Sequence, residues 1–273
     1  MKYIFLGTPE FAAIILKRLL GAGLTPLTVV TNPDRPLGRK QLLTPPPVKR
    51  LIIEGRFPDI DILQPDVLDQ SFIEKLKSYE AEVFVLAAYG KILPPAIVRL
   101  PPRGIVGVHP SLLPRYRGAT PIQNVLLMGE NTTGATLFLL DERVDHGPLL
   151  AASSLPIADD DNYETLSRKL AMLSADLLIK TLPEYLSGGI KPRPQVESLA
   201  TSTGKFKTED GLVDLKNDSP ESIWRKVRAL NPEPGVYAIK DGRRLKILEA
   251  DFINGELVLK KIQWEGEKPK VIG

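Results

Sequence analysis

Short, continuously apolar segments alternate with helical segments through the first 130 residues of the chain. The apolar segments lie at residues 3–6, 27–30, 83–87 and 105–108, and helical patterns lie near residues 48–55, 70–78 and 119–129. Continuous apolar strands separated by helices are typical of a parallel sheet that is covered on both faces. The alternation therefore predicts an α/β fold with a mostly parallel sheet, which binds ligands at the carboxyl ends of its strands.

The segment after the first strand has the signals of a helix start. Thr8 is expected to cap this helix and Pro9 to occupy its first position, and the helix is expected to end near Gly21 and Gly23. These two glycines form the chain's GxG pattern, but they follow the helix instead of the first strand, so they do not predict a dinucleotide site. The sequence also lacks the P-loop, HExxH and GxSxG patterns, which removes the usual signals of phosphate-loop enzymes, zinc proteases and serine hydrolases.

The pattern changes after residue 130. Residues 136–140 and 148–153 are predicted to be neighbouring strands joined by the tight segment DERVDHG. Asp161 and Glu164 are then expected to form a capping box at the head of a long amphipathic helix that ends before Gly188. The inward face of this helix is expected to carry five leucines: Leu166, Leu170, Leu173, Leu177 and Leu178.

These signals divide the chain into three parts. A large domain is expected over residues 1–189, a linker without periodicity over residues 190–205, and a small domain over residues 206–273. The small domain combines one helical pattern, near residues 219–229, with short strands near residues 235–240, 243–250 and 256–263, and with the turns Asp241-Gly242 and Asn254-Gly255. This pattern predicts a small β-barrel.

Composition narrows the kind of protein further. The chain has no cysteine and two histidines, so disulfides are excluded and no metal site is expected. No apolar run approaches the roughly 18 residues of a membrane helix, so we expect a cytoplasmic protein that does not enter a membrane. The formal net charge is only +3, but residues 34–50 carry five basic side chains and one acidic one in a Pro/Gly-rich stretch, which predicts a basic loop.

Polar side chains follow two of the predicted strands directly. His109 comes after the buried strand 105–108, and Asp145 lies in the segment DERVDHG. A histidine at a strand end together with an aspartate from another loop suits proton handling or the stabilisation of developing charge. The alternative is that His109 is a structural histidine and Asp145 an ordinary turn residue.

Several longer segments carry a resemblance to a known family. The run HPSLLPRYRGATPIQ and the run DERVDHGPLL resemble the two signatures of the formyltetrahydrofolate-dependent formyltransferases. The match continues, in order and over nearly the whole chain, in four further segments that resemble the branch of this family acting on methionyl-tRNA: FLGTPEFA, NPDRPLGRK, AAYGKILP and RALNPEPGVY. Ordered blocks of this kind are far more specific than any one short motif.

The resemblance implies a Rossmann-like formyltransferase domain followed by a small OB-like β-barrel domain. It also implies direct transfer of a formyl group from 10-formyltetrahydrofolate to the amino group of methionyl initiator tRNA, with no metal. In the family's pattern, the residues that match His109 and Asp145 flank the formyl carbon. His109 is then expected at the formyl oxygen, while Asp145 is expected to orient the imidazole and collect the amine proton.

Two groups of residues match the family's folate pocket. One is the loop Ser111-Leu112-Leu113-Pro114, whose leucines and backbone groups suit a flat pterin and whose alternative role is a stiff turn before the next helix. The other is the expected opposite wall of the pocket, where a strand end would serve core packing equally well: Tyr89, Gly90 and Leu93.

The basic loop matches the family's contact with the acceptor end of tRNA. Arg39 occupies the matching position, and Arg35 and Lys40 flank it. Arginine suits this role because it binds phosphate and stacks on exposed bases. The alternative is a solvated surface loop, as most basic runs are. Nothing in the sequence demands more than a monomer.

The chain departs from the family pattern at two positions. Gly107 stands where the family has the asparagine of its catalytic trio, so one oxyanion donor is missing. Three explanations stay open: a substituted and crippled chain, replacement of the amide by water or Gln123, or a chain kept for binding. Glu233 stands where the family usually has tryptophan, and the small domain is short, which predicts a weaker grip on tRNA.

Two other functions compete with the one that the resemblance implies. A sugar-nucleotide N-formyltransferase shares the fold and folate motifs, although the Arg39 loop and the run RALNPEPGVY argue against it. A catalytically silent protein that binds folate or tRNA is the second, and Gly107 is the reason to consider it.

Overall fold

The computed structural model describes residues 1–38 and 40–272. Within these residues the α-helices are α1 Glu10–Gly21, α2 Pro47–Glu54, α3 Gln70–Lys77, α4 Pro95–Val98, α5 Pro121–Leu127, α6 Tyr163–Leu186 and α7 Pro220–Leu230. The strands are β1 Tyr3–Gly7, β2 Thr28–Val30, β3 Arg35–Leu37, β4 Leu42–Thr44, β5 Asp61–Leu63, β6 Val83–Ala87, β7 Ile105–His109, β8 Arg117–Gly118, β9 Thr132–Leu139, β10 Leu149–Pro156, β11 Ser202–Thr203, β12 Val236–Lys240, β13 Arg243–Ile253, β14 Glu256–Trp264 and β15 Lys270–Val271.

Seven strands form one sheet in the order β10-β9-β7-β6-β1-β2-β5. The pairs β1–β2, β1–β6, β2–β5 and β6–β7 are parallel, whereas β7 and β9 are antiparallel. All residues of β1 and β7 are buried, as expected for strands covered on both faces. The predicted α/β fold with a mostly parallel sheet is therefore confirmed.

The chain divides into two compact units. The first contains Met1–Arg117, Gly134–Leu155 and Arg168–Ala200, and the second contains Gly118–Thr133, Pro156–Ser167 and Thr201–Gly273. The units are thus built from interleaved parts of the chain. The domain boundaries at residues 189 and 205 stay a prediction.

The start of α1 differs from the prediction. Pro9, not Thr8, is the residue before the first helical position. The Thr8 hydroxyl instead donates a hydrogen bond to the carbonyl oxygen of Tyr89 at 3.2 Å, and it accepts one from the backbone N–H of Asn32 at 3.2 Å. The Thr8 hydroxyl therefore links the loops that follow β1, β2 and β6 and does not cap the helix.

The capping box of α6 lies one residue later than predicted. Asn162 Oδ1 accepts from the backbone N–H of Thr165, and Thr165 Oγ1 accepts from the backbone N–H of Asn162, both at 3.0 Å. The Asp161 carboxylate accepts from the backbone N–H of Ala158 at 2.9 Å instead. Among the five expected inward leucines, Leu166, Leu170 and Leu178 are fully buried, whereas Leu173 and Leu177 are only half-buried.

The second unit contains an antiparallel sheet of four strands in the order β12-β13-β14-β15. Asp241 and Gly242 join β12 to β13, Asn254 and Gly255 join β13 to β14, and all four have positive φ, as two-residue hairpin turns require. Helix α7 packs on β13. Both predicted turns are confirmed, while closure into an OB-like barrel stays a prediction. In the described part of the chain, no helix has the length and apolar character needed to cross a bilayer.

Candidate active site

Strand β7 presents His109 and residue 107 on the same face of the central sheet. The strand is paired on both sides, with Ala87 of β6 beside Val108 and Thr136 of β9 beside His109. Side chains two residues apart in a strand point to the same face. His109 is the last residue of the strand and is 5% exposed. A substituent at position 107 would therefore project on the same side as the imidazole.

The loop after β7 fixes the His109 imidazole. His109 Nε2 lies 2.8 Å from the carbonyl oxygen of Tyr116, whose φ of 60° is in the left-handed region. A carbonyl oxygen can only accept, so Nε2 carries a proton and donates this hydrogen bond. The remaining ring nitrogen, Nδ1, faces Asp145, with 3.5 Å between Nδ1 and Asp145 Oδ2.

Asp145 reaches His109 by a route that the sequence did not indicate. Strand β9 is antiparallel to β7, so its last residue, Leu139, lies beside Val106 near the start of β7. The loop then turns back over the face that carries residue 107, where the Leu140 side chain lies. Gly147 permits the tight return, because a Cβ at this position would lie 1.8 Å from the carbonyl oxygen of Leu139. The two predicted residues are thus brought together across one face of the sheet.

A polar network holds the segment 141–147. Gln195 Nε2 donates to the carbonyl oxygens of Asp145 and Gly147, and Gln195 Oε1 accepts from the Arg117 guanidinium at 2.8 Å and 3.1 Å. Arg117 also donates to both carboxylate oxygens of Glu197, at 3.0 Å and 2.9 Å. This hydrogen bonding from Arg117 lowers the pKa of Glu197 to about 2.

Gln195, Arg117 and Glu197 were not among the site residues predicted from the sequence. Arg117 belongs to the HPSLLPRYRGATPIQ motif, so its position was a usable signal. Gln195 and Glu197 lie in the stretch predicted to be a linker, where no periodicity distinguishes them. Their importance comes from contacts with residues about 50 to 80 positions away, which a local pattern does not contain.

The loop Ser111-Leu112-Leu113-Pro114 is pinned by Thr136 of β9. The Thr136 hydroxyl donates to the carbonyl oxygen of Ser111 at 2.6 Å and accepts from the backbone N–H of Leu113 at 3.1 Å. The Ser111 hydroxyl, fully buried, donates to the carbonyl oxygen of Arg115. Leu113 is buried, whereas Leu112 and Pro114 are half-buried. Ser111 and Leu113 therefore give the loop its shape, and Leu112 and Pro114 are its accessible apolar members.

The second group of predicted folate residues is divided between core and surface. The Tyr89 ring is 1% exposed within a buried apolar cluster that also contains Leu93, and burial raises the pKa of the Tyr89 hydroxyl to about 12. Gly90 is exposed, with a φ of 84°. Asn32 donates to the Tyr89 carbonyl oxygen at 3.0 Å. The backbone at Gly90 is thus the part of this group that lies at the surface.

Position 107 is tightly enclosed. A Cβ built on Gly107 would lie 2.6 Å from Phe138 Cε1 and 2.6 Å from Leu140 Cδ1. Phe138 is the cross-strand partner of Gly107 in β9 and is 3% exposed. Its ring fills the space that a side chain at position 107 would take.

The predicted basic loop contains the hairpin β3–β4. Arg35 and Lys40 are exposed, and Arg39 lies outside the described residues. At the base of the hairpin, Lys49 Nζ donates to both carboxylate oxygens of Asp34, and Gln64 Nε2 donates to Asp34 Oδ1 at 2.7 Å. Hydrogen bonds from Gln64 and Lys49 lower the pKa of Asp34. This cluster fixes one end of a hairpin whose two strands alone would be marginally stable.

The described residues contain no group of three or more His, Cys, Asp or Glu side chains arranged to hold a metal ion. The carboxylate that faces the buried His109 is that of Asp145. A histidine and a carboxylate placed in this way can transfer a proton and stabilise a developing charge.

Comparison with protein families identifies the class. The formyl transferase family matches residues 1–182, and the formyl transferase C-terminal domain matches residues 205–262. The chain belongs to the formyl transferase family, and it is an enzyme of that family.

Individual relatives show which members of the family this chain resembles. The methionyl-tRNA formyltransferase of Halalkalibacterium halodurans is 40% identical over 255 residues, which cover 93% of this chain and 79% of that protein. Among solved structures, methionyl-tRNA formyltransferase from Clostridium thermocellum matches with a TM-score of 0.67 and 18% identity, covering 98% of this chain and 100% of that one. HypX from Aquifex aeolicus, in complex with tetrahydrofolic acid, matches with a TM-score of 0.69 and 16% identity, covering 99% of this chain and 46% of that one.

Proposed function

We propose that this chain transfers a formyl group from 10-formyltetrahydrofolate to the amino group of methionyl initiator tRNA. The observation that carries the proposal is the 40% identity with a methionyl-tRNA formyltransferase over 93% of the chain. The geometry supports it, because His109 and Asp145 lie together at the end of a buried strand although 36 positions separate them in sequence. Tetrahydrofolate in a structural neighbour supports the folate cosubstrate.

The chain's residues fit a flat heterocyclic cosubstrate at the carboxyl ends of β6 and β7. These strands are parallel neighbours, so the loops containing Gly90 and Leu112 leave the sheet at the same edge. The exposed backbone at Gly90 and the half-buried side chains of Leu112 and Pro114 would contact the pterin ring, while Thr136 holds the shape of the loop. 10-Formyltetrahydrofolate supplies the activated formyl carbonyl that the amine attacks.

His109 would stabilise the negative charge that develops on the formyl oxygen. Because Nε2 already donates to the Tyr116 carbonyl oxygen, Nδ1 is the nitrogen available for this role, and it donates when the ring is protonated. The Asp145 carboxylate lies 3.5 Å from Nδ1 and places its negative charge beside this nitrogen.

Asp145 would also take the proton that the attacking amine loses. The new bond joins the amine nitrogen to the formyl carbon, the bond from that carbon to the folate nitrogen breaks, and the proton ends on the folate nitrogen. The distance of 3.5 Å from Nδ1 to Oδ2 exceeds a normal hydrogen bond, and it leaves both groups close enough to act on one small reacting centre.

Arg35, Arg39 and Lys40 would contact the acceptor end of the tRNA. Arg35 and Lys40 are exposed on the hairpin that the Asp34 cluster anchors. We assign the protein to the cytoplasm, where methionyl-tRNA is formed and used, and we propose that it acts as a monomer.

A formyl-transfer assay tests this function. The protein is mixed with 10-formyltetrahydrofolate and one of three acceptors: methionyl initiator tRNA, the same tRNA without methionine, or an amino-sugar nucleotide. Of the three acceptors, we expect only methionyl initiator tRNA to give formylated product. Uncharged tRNA lacks the amine. Product with the amino-sugar nucleotide and none with methionyl-tRNA would favour the sugar enzyme. Binding of folate and tRNA without any product would favour the silent binding protein.

A further inference from the structure

The loop that carries Asp145 is held by a side chain from a distant part of the sequence. Gln195 Nε2 donates to the carbonyl oxygen of Asp145 at 2.9 Å and to that of Gly147 at 2.8 Å. One amide nitrogen has two hydrogens, so both donors of Gln195 are used on this loop. The side chain therefore fixes the backbone on both sides of His146.

Arg117 fixes which way the Gln195 amide points. The guanidinium only donates, and it donates to Gln195 Oε1 from Nε and from one terminal nitrogen. The carbonyl oxygens of the Asp145 loop only accept, so the opposite orientation of the amide would lose the hydrogen bonds on both sides. The chemistry of the partners thus sets the amide in a single orientation.

The Gln195 side chain is itself held in place by neighbouring residues. Only 7% of the Arg117 side chain is exposed, and its ion pair with Glu197 places two residues of the segment 195–197 on one guanidinium. Just before this segment, Arg193 and Leu149 exchange two backbone hydrogen bonds, at 2.7 Å and 2.9 Å. Gln195 is therefore held between the start of β10 and a buried arginine.

The loop needs such support to keep Asp145 in place. Asp145 has a φ of 47°, in the left-handed region that non-glycine residues rarely adopt and that persists when the surroundings impose it. The three preceding residues, Glu142, Arg143 and Val144, are exposed, so buried packing does not hold that side of the loop. A hydrogen bond to the carbonyl oxygen of Asp145 restrains the peptide group that follows its Cα, and the second hydrogen bond restrains the backbone at Gly147.

We propose that Gln195 is a positioning residue for catalysis, which holds the Asp145 carboxylate opposite His109 through its two hydrogen bonds to the Asp145 loop. This inference rests on the proposed role of the His109–Asp145 pair. Arg117 acts indirectly, because it orients the Gln195 amide. A displacement of about 1 Å in a reacting group can cost about 100-fold in rate. We therefore expect the loss of both hydrogen bonds to lower kcat and to leave KM nearly unchanged.

Two substitutions of Gln195 separate this role from simple support of Arg117. Gln195→Leu keeps the approximate size and loses every hydrogen bond. Gln195→Glu keeps an acceptor for Arg117 but directs a carboxylate at two carbonyl oxygens. We expect both variants to lose about 10- to 100-fold in kcat for formyl transfer, with less than threefold change in KM for either substrate. Gln70→Leu, at an exposed position on α3, is the matched control and is expected to keep wild-type kcat.

A double substitution and a crystal structure complete the test. In an Asp145→Asn background, Gln195→Leu should lower the residual kcat by less than twofold, since its effect acts through Asp145. A crystal structure of Gln195→Leu should show a distance from Asp145 Oδ2 to His109 Nδ1 clearly longer than 3.5 Å.

Each contrary result has a distinct meaning. Wild-type kcat in Gln195→Glu would show that the residue only supports Arg117, and additive losses in the double variant would show that it acts elsewhere, so either result would overturn the proposal. An inactive wild-type protein would instead refute the proposed function. The crystal structure of Gln195→Leu would then test whether Gln195 holds the Asp145 loop. An unchanged Asp145 loop in Gln195→Leu would overturn the proposed positioning role of Gln195.

Discussion

Adding a side chain at Gly107 is the perturbation whose cost the structure defines best. Gly107 lies within β7, its φ is outside the left-handed region, and strands flank it on both sides, so the backbone accepts any residue type. The space does not, because a Cβ would lie 2.6 Å from both Phe138 Cε1 and Leu140 Cδ1. Carbon atoms in ordinary contact are about 3.5–4.0 Å apart, so both side chains must withdraw by about 1 Å.

The expected magnitudes follow from this crowding. Extra atoms in a well-packed interior cost about 1–3 kcal/mol, so we expect Gly107→Ala to lower the free energy of unfolding by about that amount. Gly107→Asn should cost at least as much, because its amide also needs hydrogen-bond partners. If residue 107 faces the formyl oxygen, an amide donor there is worth about 100-fold in kcat, but the Phe138 ring stands in its way. We therefore expect the gain in the double variant Gly107→Asn, Phe138→Leu, and a smaller one in Gly107→Asn alone.

Urea unfolding and steady-state formyl transfer measure the two effects separately. Phe138→Leu alone is the control, and it should leave kcat without any gain. Gly107→Ala with wild-type stability, within about 0.5 kcal/mol, would refute the packing of Phe138 and Leu140 over this position. A well-folded double variant without a gain in kcat would refute the idea that residue 107 faces the reacting oxygen.

Three further perturbations address the tRNA loop and the acid sensitivity of the site. Arg39→Ala should raise KM for methionyl-tRNA and flatten the dependence of binding on salt, whereas Lys75→Ala on α3 should do neither; an unchanged salt slope would return Arg39 to the solvated-loop interpretation. Asp34→Asn should raise KM for tRNA several-fold at unchanged kcat, because Lys49 loses the ion pair that anchors the hairpin, and an unchanged KM would contradict that role. The pKa of Glu197 is lowered from 4.5 to about 2, so its contribution to stability is present above pH 4.5 and is lost as the pH falls towards 2. Glu197→Gln should therefore lower Tm at pH 7 and reduce the fall in Tm between pH 5 and pH 2, and an unchanged acid profile would count against the contact with Arg117.

Periodicity predicted the parts of the fold whose hydrophobic pattern is strong. The fully apolar strands β1, β6 and β7 lie where expected. Strand β5 and the hairpin β3–β4 were not predicted. The three residues of β5, Asp61–Leu63, are partly exposed at the edge of the sheet, and the residues of the hairpin are mostly exposed. Short edge strands carry too few buried residues to produce a pattern.

The sequence pattern predicted only those site residues that adjoin a strongly apolar strand. His109 is the last residue of a buried strand, and the apolar run before it places it at the carboxyl end of that strand. The position of Asp145 beside His109 was expected from the family resemblance and not from the strand pattern, since β9 is antiparallel to β7 and the loop returns over the sheet face. Gln195 could not be predicted, because its function depends on partners at positions 117, 145 and 147. The filling of position 107 by Phe138 likewise depends on strand register.

The most direct test of the central claim measures formyl transfer in variants of the His109–Asp145 pair. We expect His109→Ala and Asp145→Asn each to lower kcat by about 10²- to 10⁴-fold, the usual contribution of a positioned proton-transfer group, with the Kd for folate within threefold of wild type. Asp176→Asn, an identical chemical change at an exposed position of α6, should leave kcat unchanged. Turnover near the wild-type rate in either site variant would contradict the claim that this pair carries out the chemistry.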